Sequence, residues 1–140
     1  MSRRCIHAIV ASRNRNPILT EDVLSELFLH LNQVAKRRSM RLDCANGSVD
    51  HIHLLVWCRP VRPMVELMRF IREAKESWNW KKRGRQFPLC WRAGCHATLV
   101  DEEEVEIARH YIEHQEAHHR WQTLEEECAR FFKKNPITIY

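Results

Sequence analysis

The sequence predicts an α+β fold, an antiparallel sheet with helices packed on one face, and three observations lead there. Short apolar runs rich in β-branched residues alternate with longer segments whose apolar residues recur at helical spacing. Asn46-Gly47 stands between two strand-like runs, a dipeptide that favours a two-residue hairpin and hence antiparallel pairing. With 140 residues, 44% hydrophobic residues and five Trp, the chain supports one packed core, so residues 1–140 are expected to form one domain.

Arg4 to Ala11 reads as the first strand, closed by the polar stretch from Ser12 to Pro17. A helix follows, capped by Thr20, with Glu21 and Asp22 in its first turn. Leu24, Leu27, Phe28, Leu31, Val34 and Ala35 form its apolar stripe before Lys36, Arg37 and Arg38. Met40 to Ala45 is the second strand, Asn46-Gly47 the turn and Val49 to Cys58 the return strand. Pro63 opens a second helix with the stripe Met64, Leu67, Met68, Ile71, Ala74 and Trp78, ending near Gly84. Leu89 to Val100 is an irregular fourth strand, with Gly94 at a bulge or close approach. Asp101 caps a third helix running to about His119, Thr123 starts a final helix through Lys134, and Pro136 to Tyr140 is a tail or an edge strand. This β-α-β-β-α-β order with additional C-terminal helices is the ferredoxin-like, or RRM-like, plan, in which the second face of the sheet stays free.

Composition excludes whole classes. No apolar run approaches the roughly 20 residues of a membrane helix. Arg13, Asn14 and Arg15 interrupt the N-terminal apolar run too soon for an export signal, so a cytoplasmic protein is expected. The six cysteines form no CxxC pair and read as reduced thiols, and a zinc site from Cys90, Cys95 and His96 lacks the usual spacing. Net charge is +5 but unevenly spread. Arg59 to Arg92 holds ten Lys/Arg against three Glu, while Asp101 to Glu127 holds ten acids against two Arg. Arg69, Arg72, Lys75, Lys81, Lys82, Arg83, Arg85 and Arg92, with Trp91 beside them, offer cations for phosphates and a flat ring for unstacked bases. A solvated basic loop beside core tryptophans has the same composition.

Alternation along the return strand sends His51 and His53 to one face and Ile52, Leu54 and Val56 to the other. Their Cβ atoms should lie roughly 6.5–7 Å apart, a gap that one metal ion between the rings bridges. Exposed polar positions on a strand show the same pattern. In the third helix Tyr111 and Gln115 are four residues apart and share a face, with His118 nearly in line. A phenol is a poor nucleophile at its ordinary pKa near 10, and a neighbouring cation helps by activating a phosphate and favouring the phenolate. His110, His114 and His118 repeat at four-residue spacing, but without the glutamate of an HExxH motif His110 and His114 read as solvated. His118, nearer the Tyr111 face, is a candidate spare ligand or phosphate contact, with a solvated side chain as the alternative.

These residues carry a resemblance. Asn46-Gly47 before Asp50-His51-Ile52-His53-Leu54-Leu55, then Cys90-Trp91-Arg92-Ala93-Gly94, Tyr111-Ile112-Glu113-His114-Gln115 and Phe131-Phe132-Lys133-Lys134 are similar, over nearly the whole chain, to single-tyrosine HUH transposases. Those are enzymes of small bacterial insertion sequences, related to the repeat-associated tyrosine transposases. The resemblance implies that His51, His53 and Gln115 bind Mg2+ or Mn2+. It implies that Tyr111 forms a 5′-phosphotyrosine with single-stranded DNA at hairpin-marked ends, in a homodimer whose composite sites pair one chain's tyrosine helix with the other's histidines. Such an enzyme acts at the bacterial nucleoid. Cys95 and His96 depart from the family, which commonly has an aromatic after the W-x-x-G glycine. Rival readings are a domesticated nuclease that processes hairpins or repeats, and a non-catalytic nucleic-acid-binding protein on the same fold. A related nickase and a phosphoesterase with two histidine motifs are further rivals. Only one such histidine motif is present, and the aromatic pattern of an RRM strand is missing.

Overall fold

Alternation along two central strands decides the architecture of the chain, whose computed structural model describes residues 3–84, 88–115, 126, 137 and 138. β1 (Arg4–Ala11), α1 (Glu21–Arg37), β2 (Arg41–Ser48), β3 (His51–Cys58), α2 (Pro63–Lys81) and β4 (Gly94–Val100) follow the expected order. After them come α3 (Val105–Glu113) and a short β5 (Ile137–Thr138). The sheet runs β2-β3-β1-β4-β5 with antiparallel pairing throughout, which is the ferredoxin-like order extended by one edge strand. The C-terminal segment thus supplies an edge strand, whereas the final helix expected from Thr123 lies outside the described residues except at Glu126, which is helical. No helix among the described residues is long and apolar enough to cross a membrane.

One face of the sheet forms the main core. Ile6, Ala8 and Val10 of β1 and Ile52, Leu54 and Val56 of β3 pack against Leu27, Leu31 and Val34 of α1 and against Leu67, Phe70, Ile71 and Trp78 of α2. Thr20 caps α1 as expected, its side chain accepting from the Val23 amide. The other face is not free. Cys5 and Leu55 meet Val100, Val105, Ala108 and Ile112 there, because α3 lies across it. Helices on one face only was therefore the wrong expectation, and β1 reads as a continuous apolar run because both its faces are covered.

The hairpin differs too. Ser48 pairs with His51, so Val49-Asp50 is the turn and Asn46-Gly47 lies inside β2. Gly47 meets a steric demand rather than a turn geometry: a Cβ on it would stand 2.7 Å from His51 O and 2.9 Å from Ile52 Cγ2. Asn46 Nδ2 donates to the carbonyl of Ile112, 3.0 Å away, and so ties the end of α3 to β2. The fourth strand is shorter than expected, since Trp91 makes only an isolated bridge to Ser12 and Gly94 opens β4. The third helix is also shorter. Asp101 makes no side-chain cap, Glu102–Glu104 is a 3-10 turn, and α3 ends at Glu113.

Candidate metal and tyrosine site

β3 brings His51 and His53 to the α3 face of the sheet, where they are 1% and 0% exposed and their ring centroids stand 5.5 Å apart. Tyr111 of α3 is 4% exposed and its ring centroid lies 5.9 Å from that of His53. Gln115 was expected one turn beyond Tyr111 on the same helix, but the helix stops at Glu113 and His114 turns the chain. Gln115 nevertheless reaches the site, fully buried, with Nε2 3.1 Å from His51 Nε2. The four residues singled out in the sequence therefore converge within one chain.

Hydrogen bonds fix the histidine on the Gln115 side. Asp50 Oδ1 accepts from His51 Nδ1 at 2.8 Å, and Arg15 holds the same carboxylate, with Nη2 3.0 Å from Oδ2. With its proton on Nδ1, His51 turns the Nε2 lone pair toward Gln115, which donates to it from its amide. Burial alone would raise the Asp50 pKa, but the bonds from His51 and Arg15 outweigh burial and hold the carboxyl below its usual range. On the other side His53 Nδ1 lies 3.1 Å from His7 Nε2.

A metal would find two imidazoles and, after a half-turn of the Gln115 amide, a carbonyl oxygen. That donor set fits a divalent cation, and its nitrogen content suits Mn2+ better than Mg2+. Among the described residues no three His, Cys, Asp or Glu side chains group as a metal cage. Burial pushes the Cys95 thiol up to about 12, far from thiolate chemistry.

β2 grips α3 on both sides of the tyrosine. Asp43 takes the Arg109 guanidinium at two oxygens, 2.7 and 2.8 Å, and also accepts from Trp57 Nε1 at 2.9 Å, while Asn46 holds the Ile112 carbonyl. The Arg109 bonds keep the Asp43 carboxyl well below the ordinary carboxylate range, with Trp57 adding to them against burial.

The basic residues split into groups. Arg69, Arg72, Lys81 and Arg83 are exposed on or just past α2, across the sheet from the histidines, and Arg83 stacks 4.0 Å over the exposed Trp80 ring. Lys75 is half-buried, and Lys82 pairs with Glu26 above the Trp78 ring. Trp91 and Arg92 lie at the site's end of the sheet: Trp91 bridges Ser12, whose amide in turn bonds the Asp50 carbonyl. Arg85 and His118 lie outside the described residues. His110 and His114 are exposed, as expected of solvated side chains. Sequence reading missed His7, Arg15 and Asp43, took Asn46 as a turn residue and Asp50 only as part of a motif; the acid next to His-x-His was the one local signal available.

The family model described as Transposase IS200 like matches residues 1–115. No curated protein matches the chain. Among solved structures, a REP-associated tyrosine transposase bound to a REP hairpin aligns with a TM-score of 0.63 and 16% identity, covering 96% of this chain and 84% of that one. A candidate transposase from Deinococcus radiodurans R1 aligns with a TM-score of 0.57 and 20% identity, covering 82% of this chain and 92% of that one. At these identities the two structures speak for the fold.

Proposed function

The chain belongs to the IS200-like transposase family, and on that premise we propose that it cleaves and rejoins single-stranded DNA at hairpin-marked ends. Tyr111 is the nucleophile in this reading, and His51, His53 and Gln115 hold a divalent cation, Mn2+ or Mg2+. The observation that carries it is the convergence of Tyr111 and Gln115 from one side, and both histidines from the other, in a single buried cluster. When bound, the ion supplies positive charge that offsets the charge on the phosphate.

The residues do the rest. The Tyr111 oxygen attacks phosphorus as the bond to the 3′ oxygen breaks, which leaves a 5′-phosphotyrosine and a free 3′ hydroxyl. The proton lost by the phenol balances the one gained by that hydroxyl. Reversal by a 3′ hydroxyl rejoins the strand, and the ester conserves the energy of the broken bond. Asp50 and Arg15 keep His51 oriented throughout. Because Tyr111 is 4% exposed, α3 must shift for DNA to reach it. The hairpin meets the exposed cations, with Trp91 and Arg92 nearest the site and Arg69, Arg72 and Arg83 on the far face.

The resemblance implies a homodimer with composite sites. We read the resting site as complete within one chain, because its own Tyr111 already lies against its own His53. Mixing Tyr111→Phe with the His51→Ala/His53→Ala variant decides between these: recovered activity means composite sites, and continued inactivity means sites formed within each chain.

Incubation with a labelled single-stranded hairpin and Mn2+ tests the whole reading. A covalent adduct should form with the wild type and disappear in Tyr111→Phe. An adduct that survives this change assigns the nucleophile elsewhere. Salt-dependent binding with no cleavage in any of several metals would favour a non-catalytic nucleic-acid-binding protein instead.

A further inference from the structure

A histidine binds a metal through the nitrogen that carries no proton, and the hydrogen bond at the other nitrogen sets which one that is. Asp50 does this for His51, since a carboxylate only accepts. At His53 the group on Nδ1 is instead an imidazole, His7, with Nε2 3.1 Å away. The β1–β3 register pairs His7 with Leu55 and Ile9 with His53, so the two rings meet diagonally on the same face of the sheet. They are 1% and 0% exposed, and their centroids lie 5.4 Å apart.

Two neutral imidazoles at this distance share a single proton. If His7 donates it, His53 carries its own proton on Nε2 and cannot offer that nitrogen to a metal. If His53 donates, its Nε2 holds the lone pair. An imidazole in water favours the proton on Nε2, so the form that binds metal there needs an acceptor at Nδ1.

We propose that His7 is the positioning residue of His53: its Nε2 accepts the Nδ1 proton of His53 and holds His53 Nε2 ready for the divalent cation. The inference rests on the reading of His51 and His53 as metal ligands, and His7 itself stays outside the coordination shell. Neither the His-x-His motif nor the tyrosine segment contains His7.

Long-range proton–nitrogen spectra of the metal-free protein read the tautomer of His53 directly. The wild type should carry the proton on Nδ1. In His7→Leu it should move to Nε2, and in His7→Gln, whose amide oxygen can stand near the place of Nε2, it should stay on Nδ1. Calorimetric titration with Mn2+ should show about 10–100-fold weaker binding for His7→Leu and near-normal binding for His7→Gln. A wild-type proton on Nε2, or a His7→Leu variant with unchanged tautomer and Mn2+ affinity, overturns the proposal. So does a changed Co2+ absorption spectrum in His7→Gln, which would make His7 a ligand. Should His7→Leu fail to fold, the wild-type tautomer and the His7→Gln variant still decide. A wild type that takes up no Mn2+ would sink the metal-site reading, whereas the tautomer spectra would still judge His7.

Discussion

β3 lies between β1 and β2 and is hydrogen-bonded along both edges, whereas α3 touches the sheet along one side only. Both supply the site. The histidines on β3 are backed by the main core, and their outer nitrogens meet groups on the sheet or its turn, His7 and Asp50. α3 is nine residues long and buries Val105, Ala108, Tyr111 and Ile112, while Ile107 is 66% exposed. A fully buried Val or Ile contributes roughly 1.5–3 kcal/mol, so this small apolar face carries most of the docking, and Asp43 and Asn46 add the polar contacts that fix its position. The contrast teaches a division of labour: the histidine half of the site is built into the sheet, and the tyrosine half, with Gln115 beyond it, is clipped on from α3. Local opening at lower cost than global unfolding is what a buried nucleophile requires.

The largest effect should come from damage to the rigid half. In Gly47→Ala the new methyl would stand 2.7 Å from the backbone oxygen of His51, an atom that moves only if β3 moves. Such overpacking costs up to about 3 kcal/mol and should lower the melting temperature by about 5 °C or more. Mn2+ binding should fall with it, because His51 is displaced. A variant as stable as the wild type, with unaltered Mn2+ titration, would show that β3 yields more easily than its pairing along both edges implies.

The clip comes next. Asp43→Asn removes the charge that holds Arg109, for about 2 kcal/mol at neutral pH. Hydrogen exchange should speed up about tenfold or more at the amides of Ala108 to Ile112 and stay unchanged in β3. The pH dependence has a definite sign. Because the folded-state pKa of Asp43 is depressed, its contribution is complete above the ordinary value of 3.8 and is lost as pH falls through the folded-state value. The stability gap between wild type and Asp43→Asn should therefore be full at pH 7 and close in more acidic solution. A gap that persists unchanged at low pH would mean that the carboxylate's charge is not what holds α3.

The same division explains what could be read in advance. Strand alternation placed His51 and His53 on one face because that face depends only on the period of two. Thr20 and the stripe from Leu24 to Ala35 located α1 because capping and helical spacing are local. Asn46-Gly47 misled because its turn preference is local, while its actual task, admitting the backbone of β3 and holding α3, is tertiary. The end of α3 carries no Gly or Pro; His114 turns the chain, so Gln115 enters from beyond the helix. His7 is one polar residue in an apolar run, and the role proposed for it rests on the diagonal contact across β1 and β3.

Asn46 provides the finest test. Its Nδ2 donates to the Ile112 carbonyl at 3.0 Å and its Oδ1 accepts from the Gly47 amide at 2.9 Å. Asn46→Ala loses both bonds and should cost about 1 kcal/mol, read as a small shift of the urea midpoint. Asn46→Asp keeps the acceptor for Gly47 but turns a carboxylate toward the last carbonyls of α3, where the helix dipole is negative. If Asn46 mattered only inside β2, Asp would be the milder change. If it clips α3, Asp should be the worse one, with faster exchange at Tyr111 and Ile112 than in Asn46→Ala. An Asp variant more stable than the Ala variant would remove Asn46 from the clip and leave Asp43 as its polar anchor.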